Sequence, residues 1–580
     1  MGYPSGVFDP QTTLRERFAT ALVATFGDEV AGTDPLVRVS DRADYQANVA
    51  MSLAKRLKQP PRKVAEALVE KLDLDDLAEE VTIAGPGFIN VTLNKSFVGA
   101  KAGAQLADER VGVAKAAEPE TIVIDYSAPN VAKEMHVGHI RTTVIGDALA
   151  RLLSFRGHRV IRHNHIGDWG TPFGMLIEHL LDLGKGDDDD LAIHDLNAFY
   201  KEARAKFDGD EAFADRSRTR VVSLQAGDEA TLTLWRRLVD ASKKHFAKVY
   251  DALGVTLTEA DIKGESSYNP QLAGVIEELE AKSLVEVNDG ALCMFLDGFT
   301  GRDGSPLPLI VRKSDGGYGY AITDLAAIRH RTQDLGATRL LYVVGAPQQQ
   351  HLAMIFAAGQ KAGWVVAPAR AEHVPFGSVL GKDGKMFKTR SGETVKLMDL
   401  IEEGLERAFQ EVSERFPDLD EETRQRVARQ VGIGAFKYAD LSGDRVKDYT
   451  FDLDRMIQFE GNTAGYIQYA HARCRSILRK ADEEPTAGDI VITEPAEKSL
   501  ALLLLRLSTI VEQVEESLKP HTLCNYLYDI ASALSTFYND CPVLKSEGVT
   551  RESRLRLVAL TAQVLAQGLE LVGIEAPERM

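Results

Sequence analysis

The spacing of apolar residues changes several times along this chain, and each change marks a structural unit. Residues 39–57 (VSDRADYQANVAMSLAKRL) and 60–72 (PPRKVAEALVEKL) place apolar residues at helical spacing. Residues 81–94 (VTIAGPGFINVTLN) read as a hairpin turning at Gly-Pro-Gly. Together they predict a small α/β unit over residues 1–112, leading into a polar, Ala-rich linker near 107–120. A short β-rich run, TIVIDYSAPN (121–130), is followed by loop residues, by helical spacing from Gly138 to Gly157, and by a second strand, VIRHNHIGD (160–168). Strand, helix and strand so close together predict a βαβ unit of a parallel sheet.

From Gly184 to about Phe299 the pattern turns charged and mostly helical, behind the acidic loop GKGDDDD. It reads as an insertion, about 184–299, between two halves of a nucleotide-binding fold. Strand-like runs resume at 308–324 (PLIVRKSDGGYGYAITD) and 340–346 (LLYVVGA). Beyond about Ala435 the chain is almost purely helical, with one break at 483–495 (EEPTAGDIVITEP). The expected architecture is multidomain α/β. A small α/β N-terminal domain (1–112) precedes a Rossmann-type parallel-sheet catalytic domain (113–435), and an all-α bundle (436–580) follows.

Length supports that division, since 580 residues exceed what one core organises. No apolar run approaches a membrane span, and the start, MGYPSGVFDP, lacks a basic-then-apolar secretory signal. Cys293, Cys474, Cys524 and Cys541 are scattered, which argues against a zinc site or a disulfide framework and fits a reducing cytoplasm. Sixty-eight Lys+Arg against 86 Asp+Glu give a net charge of −18, so composition leans away from nucleic acid. Any RNA contact has to come from local basic patches, because counterion release depends on local phosphate contacts.

Two short stretches carry phosphate chemistry. In SAPNVAKEMHVGHIRTTVIGD (127–147), His136 and His139 flank Val137-Gly138 where a loop becomes a helix. A helix N-terminus offers unpaired N–H groups and a positive dipole end, Gly138 lets the backbone come close, and the imidazoles can donate to phosphate oxygens. Alone, the tetrapeptide is equally a pair of capping histidines. Far downstream, Gly381–Gly392 places Lys382, Lys385, Lys388 and Arg390 on a Gly-bounded loop that can close over a triphosphate. Alone, it is a solvated basic loop. Both in this order are much harder to obtain by accident.

The pair resembles the signatures of class I aminoacyl-tRNA synthetases, known as HIGH and KMSKS, here HVGH (136–139) and KMFKT (385–389). The second departs from the pattern at Phe387 and Thr389 but keeps both lysine positions. Within that class, SAPNVAKEMHVGHIR is similar to the arginine-specific enzymes, and the likeness continues in DGGYGYAITDLAAIRHR (315–331), YVVGAPQQQH (342–351), GKMFKTRSGETVKL (384–397) and FEGNTAGYIQYAHARCRSIL (459–478). It reaches DYQANVAMSLAK near the N-terminus and so covers nearly the whole chain.

That resemblance implies an arginine–tRNA ligase that joins L-arginine, ATP (with Mg2+ as the substrate complex) and tRNA(Arg), as a monomer in the cytoplasm with no membrane partner and no structural metal. It puts ATP on His136, Gly138, His139, His351, Lys385, Met386 and Lys388, with Lys133 a further cation. A selective guanidinium pocket needs carboxylates and other acceptors. The resemblance assigns the guanidinium to Tyr320 and Asp324, completed by Gln348, and the α-amino and carboxylate ends to Asn130, Ser127 and Asp125. Asp324 also suits a helix N-cap opening DLAAIRHRTQDL, and Tyr320 a strand residue packed in a sheet. His163 and His165 mimic a metal pair but lack a third ligand nearby, and Asp168 with Trp169 are expected at the site floor. The insertion is expected to dock the acceptor end, and residues 1–112 the tRNA elbow.

For RNA, the expected helix 462–481 carries Arg473, Arg475, Arg479 and Lys480, no acid, and the interleaved Tyr466 and Tyr469. Basic residues beside aromatics suit phosphates and unstacked bases, although spacing alone equally fits a core helix with a solvated basic face. In the family this segment opens the anticodon-binding domain, with Met580 expected to reach the anticodon pocket.

Overall fold

The computed structural model describes residues 8–184, 195–301, 303–387, 395–482, 485 and 488–580, so the acidic run after Gly184 lies outside it. The N-terminal unit holds a four-stranded antiparallel sheet in the order Val37–Val39, Tyr45–Ala47, Phe88–Leu93, Ala78–Ala84. The last two strands form the hairpin around Gly85-Pro86-Gly87. Residues 39–57, expected to be helical throughout, divide: Tyr45–Ala47 is extended and only Val49–Leu57 is helix. Tyr45 and Ala47 are both buried and pair with Phe88–Leu93, so a two-residue period prevails there once a partner strand is present.

In the central unit, β1 (Thr121–Asp125), α1 (Gly138–Phe155) and β2 (Arg159–His163) form the expected βαβ unit. Ile122 and Ile124 of β1 enter one hydrophobic core and Val123 another on the opposite face. A strand buried on both faces is what a continuous apolar run encodes. The inserted region is helical through Leu196–Gly209, Glu211–Gln225, α2 (Glu229–Leu253) and Asn269–Ala281. It then ends in an antiparallel sheet, Glu286–Asn288, Ala291–Thr300 and Pro306–Arg312. After this sheet come α3 (Tyr320–Arg329), β3 (Arg339–Tyr342), α4 (Gln349–Lys361) and β4 (Arg370–His373).

The run YAITD is therefore helical, not strand-like. The turn around Gly316 and Gly317 ends the extended segment, and Ala321, Ile322, Leu325, Ala326 and Ile328 then bury one helical stripe. The central sheet has the order β4-β3-β1-β2 with every neighbour parallel, and Asp125 stands in register with Tyr342 and His163. The C-terminal ends of β1, β2 and β3 therefore share one edge, where open α/β sheets bind ligands.

The C-terminal bundle contains α5 (Glu421–Leu441), α6 (Ala464–Ala481) and α7 (Gly548–Leu571), with Pro495–Leu504, Leu507–Ser517 and His521–Asp540 between the last two. The expected division at 435/436 falls inside α5, which packs against both α1 and α6. A nearly solvent-free ion pair, Arg141 Nε to Asp440 Oδ1 at 3.1 Å, ties α1 to α5. Among the described residues no helix is long and apolar enough to cross a membrane.

Candidate active site

The loop leaving β1 is conformationally unusual. Ser127, Ala128 and Ala132 have φ of 71°, 46° and 60°, a region that non-glycine residues occupy only when their surroundings hold them there. Part of that support comes from the loop after β2. Asn164 Oδ1 accepts from Ala128 N at 3.0 Å, and Val131 N donates to Gly167 O at 3.0 Å. A Cβ on Gly167 would lie 2.3 Å from Asn130 Oδ1, so only glycine leaves Asn130 its place.

At the start of α1 the two imidazoles interlock, with ring centres 4.0 Å apart. Gly138 N donates to His136 Nδ1 (3.0 Å) and His136 N donates to His139 Nδ1 (3.1 Å). Each Nδ1 thus accepts, which assigns the ring proton to Nε2 and leaves that N–H as the donor. A Cβ at position 138 would stand 2.8 Å from the His136 ring, so the glycine lets the ring fold back over the helix start. Burial pushes the His139 imidazole down to about 3, helped by His136. Burial, and then Lys133, also lowers His136. The site therefore presents neutral donors, not imidazolium charge. Histidine-labelled protein should show His139 by NMR as a neutral Nε2–H tautomer down to about pH 5, and a ring protonated at pH 6 would contradict the arrangement.

The two signatures meet. Val137 N donates to Val395 O (3.2 Å) and Leu397 N to Met135 O (2.9 Å), so the histidine segment pairs with the chain just past the lysine loop. Lys385, exposed on the turn closed by Gly381 N to Lys385 O (2.7 Å), forms no ion pair with a described residue. Met386 beside it is also exposed. Lys382 is taken by Asp452 and Asp454 at 3.0 and 3.6 Å. Phe387, the departure at the third position, packs its ring 4.9 Å from that of Phe451. Lys388, Thr389 and Arg390 lie outside the described residues. Lys133 is exposed, its ammonium 4.4 Å from the centre of the Tyr200 ring.

Tyr320 and Asp324 stand one turn apart on α3 and so share a face. Tyr320 is 74% exposed, which excludes a packed strand residue, and the cap of α3 is Gly319, which excludes Asp324 as an N-cap. Asp324 Oδ2 lies 2.6 Å from His351 Nε2, a hydrogen bond that raises the imidazole above its ordinary value. His351, expected beside the adenosine, thus has its Nε2 on Asp324. Gln348 is exposed at the end of the short turn Ala346–Gln348 that follows β3.

Two expected substrate ligands are otherwise engaged. Asp125 is buried and its Oδ2 accepts from Arg331 Nη2 at 2.6 Å. Burial alone would raise its carboxyl, but the guanidinium beside it, with His165 and His163, holds it below the usual value. Asp125 is a support beneath the loop, because its charge is already neutralised. Ser127 is also buried, sharing hydrogen bonds with Tyr250 Oη (2.8 Å) and Thr143 Oγ1 (3.0 Å). His163 lies close to Arg331 and stacks on His330, and burial pushes it down to about 3.

The sequence reading missed Glu265. It starts the short turn Glu265–Tyr268, which packs against α3, and no cation among the described residues acts on its carboxylate. Burial, then Asp324 and Asp168, push it up to about 8. A carboxyl raised by neighbouring acids, with no cation beside it, suits an arriving cation. Asp168, expected at the floor, holds this turn by accepting from Ser266 N and Oγ (2.8 and 2.7 Å), and Trp169 packs edge-on against Trp235. Nothing in KGESSY carries a motif or a period, so only the fold exposes Glu265.

On the bundle, Arg473 lies 5.1 Å from the ring centres of both Tyr469 and Tyr538, and Tyr466 packs on Tyr528. Arg475 Nε pairs with Glu578 (2.8 Å) and Arg479 donates to Glu578 O (2.8 Å). The basic face of α6 is therefore partly covered by the C-terminal tail, not wholly solvated. Met580 packs into the cluster of Phe409, Phe416, Phe459 and Tyr469.

A parallel sheet whose ligand edge carries paired histidines at a helix start, joined to the chain that follows a lysine-bearing turn, and whose next helices bring Asp324, His351 and Glu265 together, defines a class I aminoacyl-tRNA synthetase. Residues 102–453 match the family described as tRNA synthetases class I (R), catalytic domain, residues 467–580 the DALR anticodon binding domain, and residues 12–93 the arginyl tRNA synthetase N terminal domain. The chain belongs to the arginyl-tRNA synthetase family. It is 56% identical to the arginine–tRNA ligase of Thermobifida fusca (strain YX) across 99% of this chain and 100% of that one. It is 48% identical to that of Laribacter hongkongensis (strain HLHK9) across 98% and 99%. The crystal structure of arginyl-tRNA synthetase from Plasmodium falciparum superposes with a TM-score of 0.86 at 29% identity, covering both chains fully. The Thermus thermophilus arginyl-tRNA synthetase does so at 0.83 and 26%, covering 98% of this chain and 100% of that one.

Proposed function

We propose that this enzyme works as an arginine–tRNA ligase, activating L-arginine with ATP and transferring it to the 3′ end of tRNA(Arg). The observation that carries the reading is the pairing of residues 135–137 with 395–397 at the sheet edge, together with the acidic group formed by Asp324 on α3 and Glu265 on the turn packed against it. An arginine carboxylate oxygen attacks the α-phosphorus of ATP. The bond to the β-phosphate bridge breaks, giving arginyl-adenylate and diphosphate. The nucleophile is already an anion, so positioning and charge stabilisation supply the catalysis.

The Nε2–H groups of His136 and His139 donate to phosphate oxygens, and Lys133, Lys385 and Lys388 neutralise developing charge. Magnesium enters with ATP. Tyr320, Asp324, Gln348 and, added by the geometry, Glu265 receive the guanidinium end, while Asn130 receives the α-amino end. In the second step a terminal ribose hydroxyl of tRNA attacks the adenylate carbonyl and AMP leaves. Residues 436–580 read the anticodon through Arg473, Tyr466, Tyr469 and the tail-covered Arg475–Met580 corner, residues 1–112 meet the elbow, and the 184–299 insertion docks the acceptor end. The enzyme acts as a cytoplasmic monomer.

Amino-acid-dependent ATP–diphosphate exchange, run with and without total tRNA, tests this. Arginine should support exchange and canavanine, which keeps a guanidino group, should compete. Exchange with any other natural amino acid, or none with arginine and tRNA together, would overturn it.

A further inference from the structure

The strained loop 127–132 rests on helix α2, from the inserted region, in two places. Ser242, wholly buried, accepts from Ala132 N through Oγ at 2.9 Å. Two turns on, Tyr250, 3% exposed, shares a hydrogen bond with Ser127 Oγ at 2.8 Å and accepts from Asn164 Nδ2 at 2.9 Å. Asn164 in turn accepts from Ala128 N, so the three left-handed residues Ser127, Ala128 and Ala132 are all gripped from this side.

The end of α2 that carries Tyr250 is fixed. Gly254 O, just past its last turn, accepts from Lys437 Nζ (3.2 Å) and Arg151 Nη2 (3.1 Å), and Asp251 O accepts from Arg429 Nη2 (3.1 Å). These donors come from α5 and α1, and Lys437 also donates to Gly573 O at the root of the C-terminal segment. A helix anchored at one end and bonded twice to a strained loop is built as a strut.

We propose that Ser242 and Tyr250 are positioning residues for arginine binding, holding loop 127–132 in the backbone conformation that presents Asn130 to the amino acid. This rests on the reading of that loop as the amino-acid site. Left-handed backbone at three non-glycine positions relaxes when its hydrogen bonds are removed. Each hydroxyl removed should then misplace the ligand without removing a ligand.

Ser242→Ala and Tyr250→Phe, each losing one oxygen, are compared with Asn130→Ala in tRNA-saturated diphosphate exchange. The expected result is a rise of about tenfold in arginine KM for each of the two, the worth of one hydrogen bond, with ATP KM and tRNA Kd within twofold of the parent. Thermal midpoints are measured alongside, since lost packing alone would lower them and leave KM in place. If Asn130→Ala raises arginine KM while Ser242→Ala and Tyr250→Phe do not, the strut is refuted and the loop reading stands. If Asn130→Ala also leaves it unchanged, the loop reading itself has failed.

Discussion

Asp324→Ala is expected to lower kcat/KM for arginine about a thousandfold while leaving tRNA affinity within a few-fold of the parent. Asp324 shares with Tyr320 the face of α3 that the buried stripe leaves open, and its described partner is His351, a neutral or singly charged group that the arriving guanidinium can supplement or displace. Truncating one partner of a hydrogen-bonded charge pair costs roughly 2–5 kcal/mol, because the other charge stays unpaired. Glu265 cannot fully substitute, since burial and Asp168 still raise its carboxyl once Asp324 is gone. Asp324→Asn separates charge from shape: it should keep a contact to His351 yet recover little arginine affinity. Steady-state exchange and filter binding of tRNA check both. Equal loss of arginine and tRNA binding would mean that Asp324 is structural.

The second large effect concerns stability. Arg331→Leu should destabilise the fold by about 3–5 kcal/mol in urea titration, because it strands Asp125 as an uncompensated buried carboxylate. Asp125→Leu together with Arg331→Leu should recover much of that loss, since two apolar groups leave no charge to solvate. The pH dependence gives the sign. In the parent the Asp125 carboxyl is held below its ordinary value, so its contribution is present at neutral pH and lost as pH falls below about 4. With Arg331 gone, burial is the dominant influence and the carboxyl rises. The variant's deficit should then grow as pH increases above about 4 and shrink on acidification. A deficit independent of pH would assign the loss to packing alone.

Much of this architecture is encoded locally. The β1–α1–β2 unit was legible because Ile122, Val123 and Ile124 bury both faces of one strand, and the hairpin because Gly85-Pro86-Gly87 punctuates two pairing runs. The histidine pair and the lysine turn were legible as motifs, and Phe387 stood out as a departure whose reason, contact with Phe451, needed the fold. Local pattern failed where a distant partner chose the conformation. Tyr45–Ala47 turned extended because Phe88–Leu93 was there to pair with, and Tyr320 opened a helix because its stripe had a core to enter.

The same division runs through the site. Sequence by itself determined which chemical groups are present: imidazoles at a helix start, cations on a glycine-bounded turn, acids near an apolar helix. Tertiary structure alone decided which of them are free. It consumed Asp125 in a pair with Arg331, 206 residues away, turned His351 to Asp324, covered Arg475 with the tail, and brought Glu265 into the pocket. The physical reason is range. Helix and strand preferences are settled among near neighbours, whereas neutralising a buried charge requires a partner that only closure of the sheet delivers.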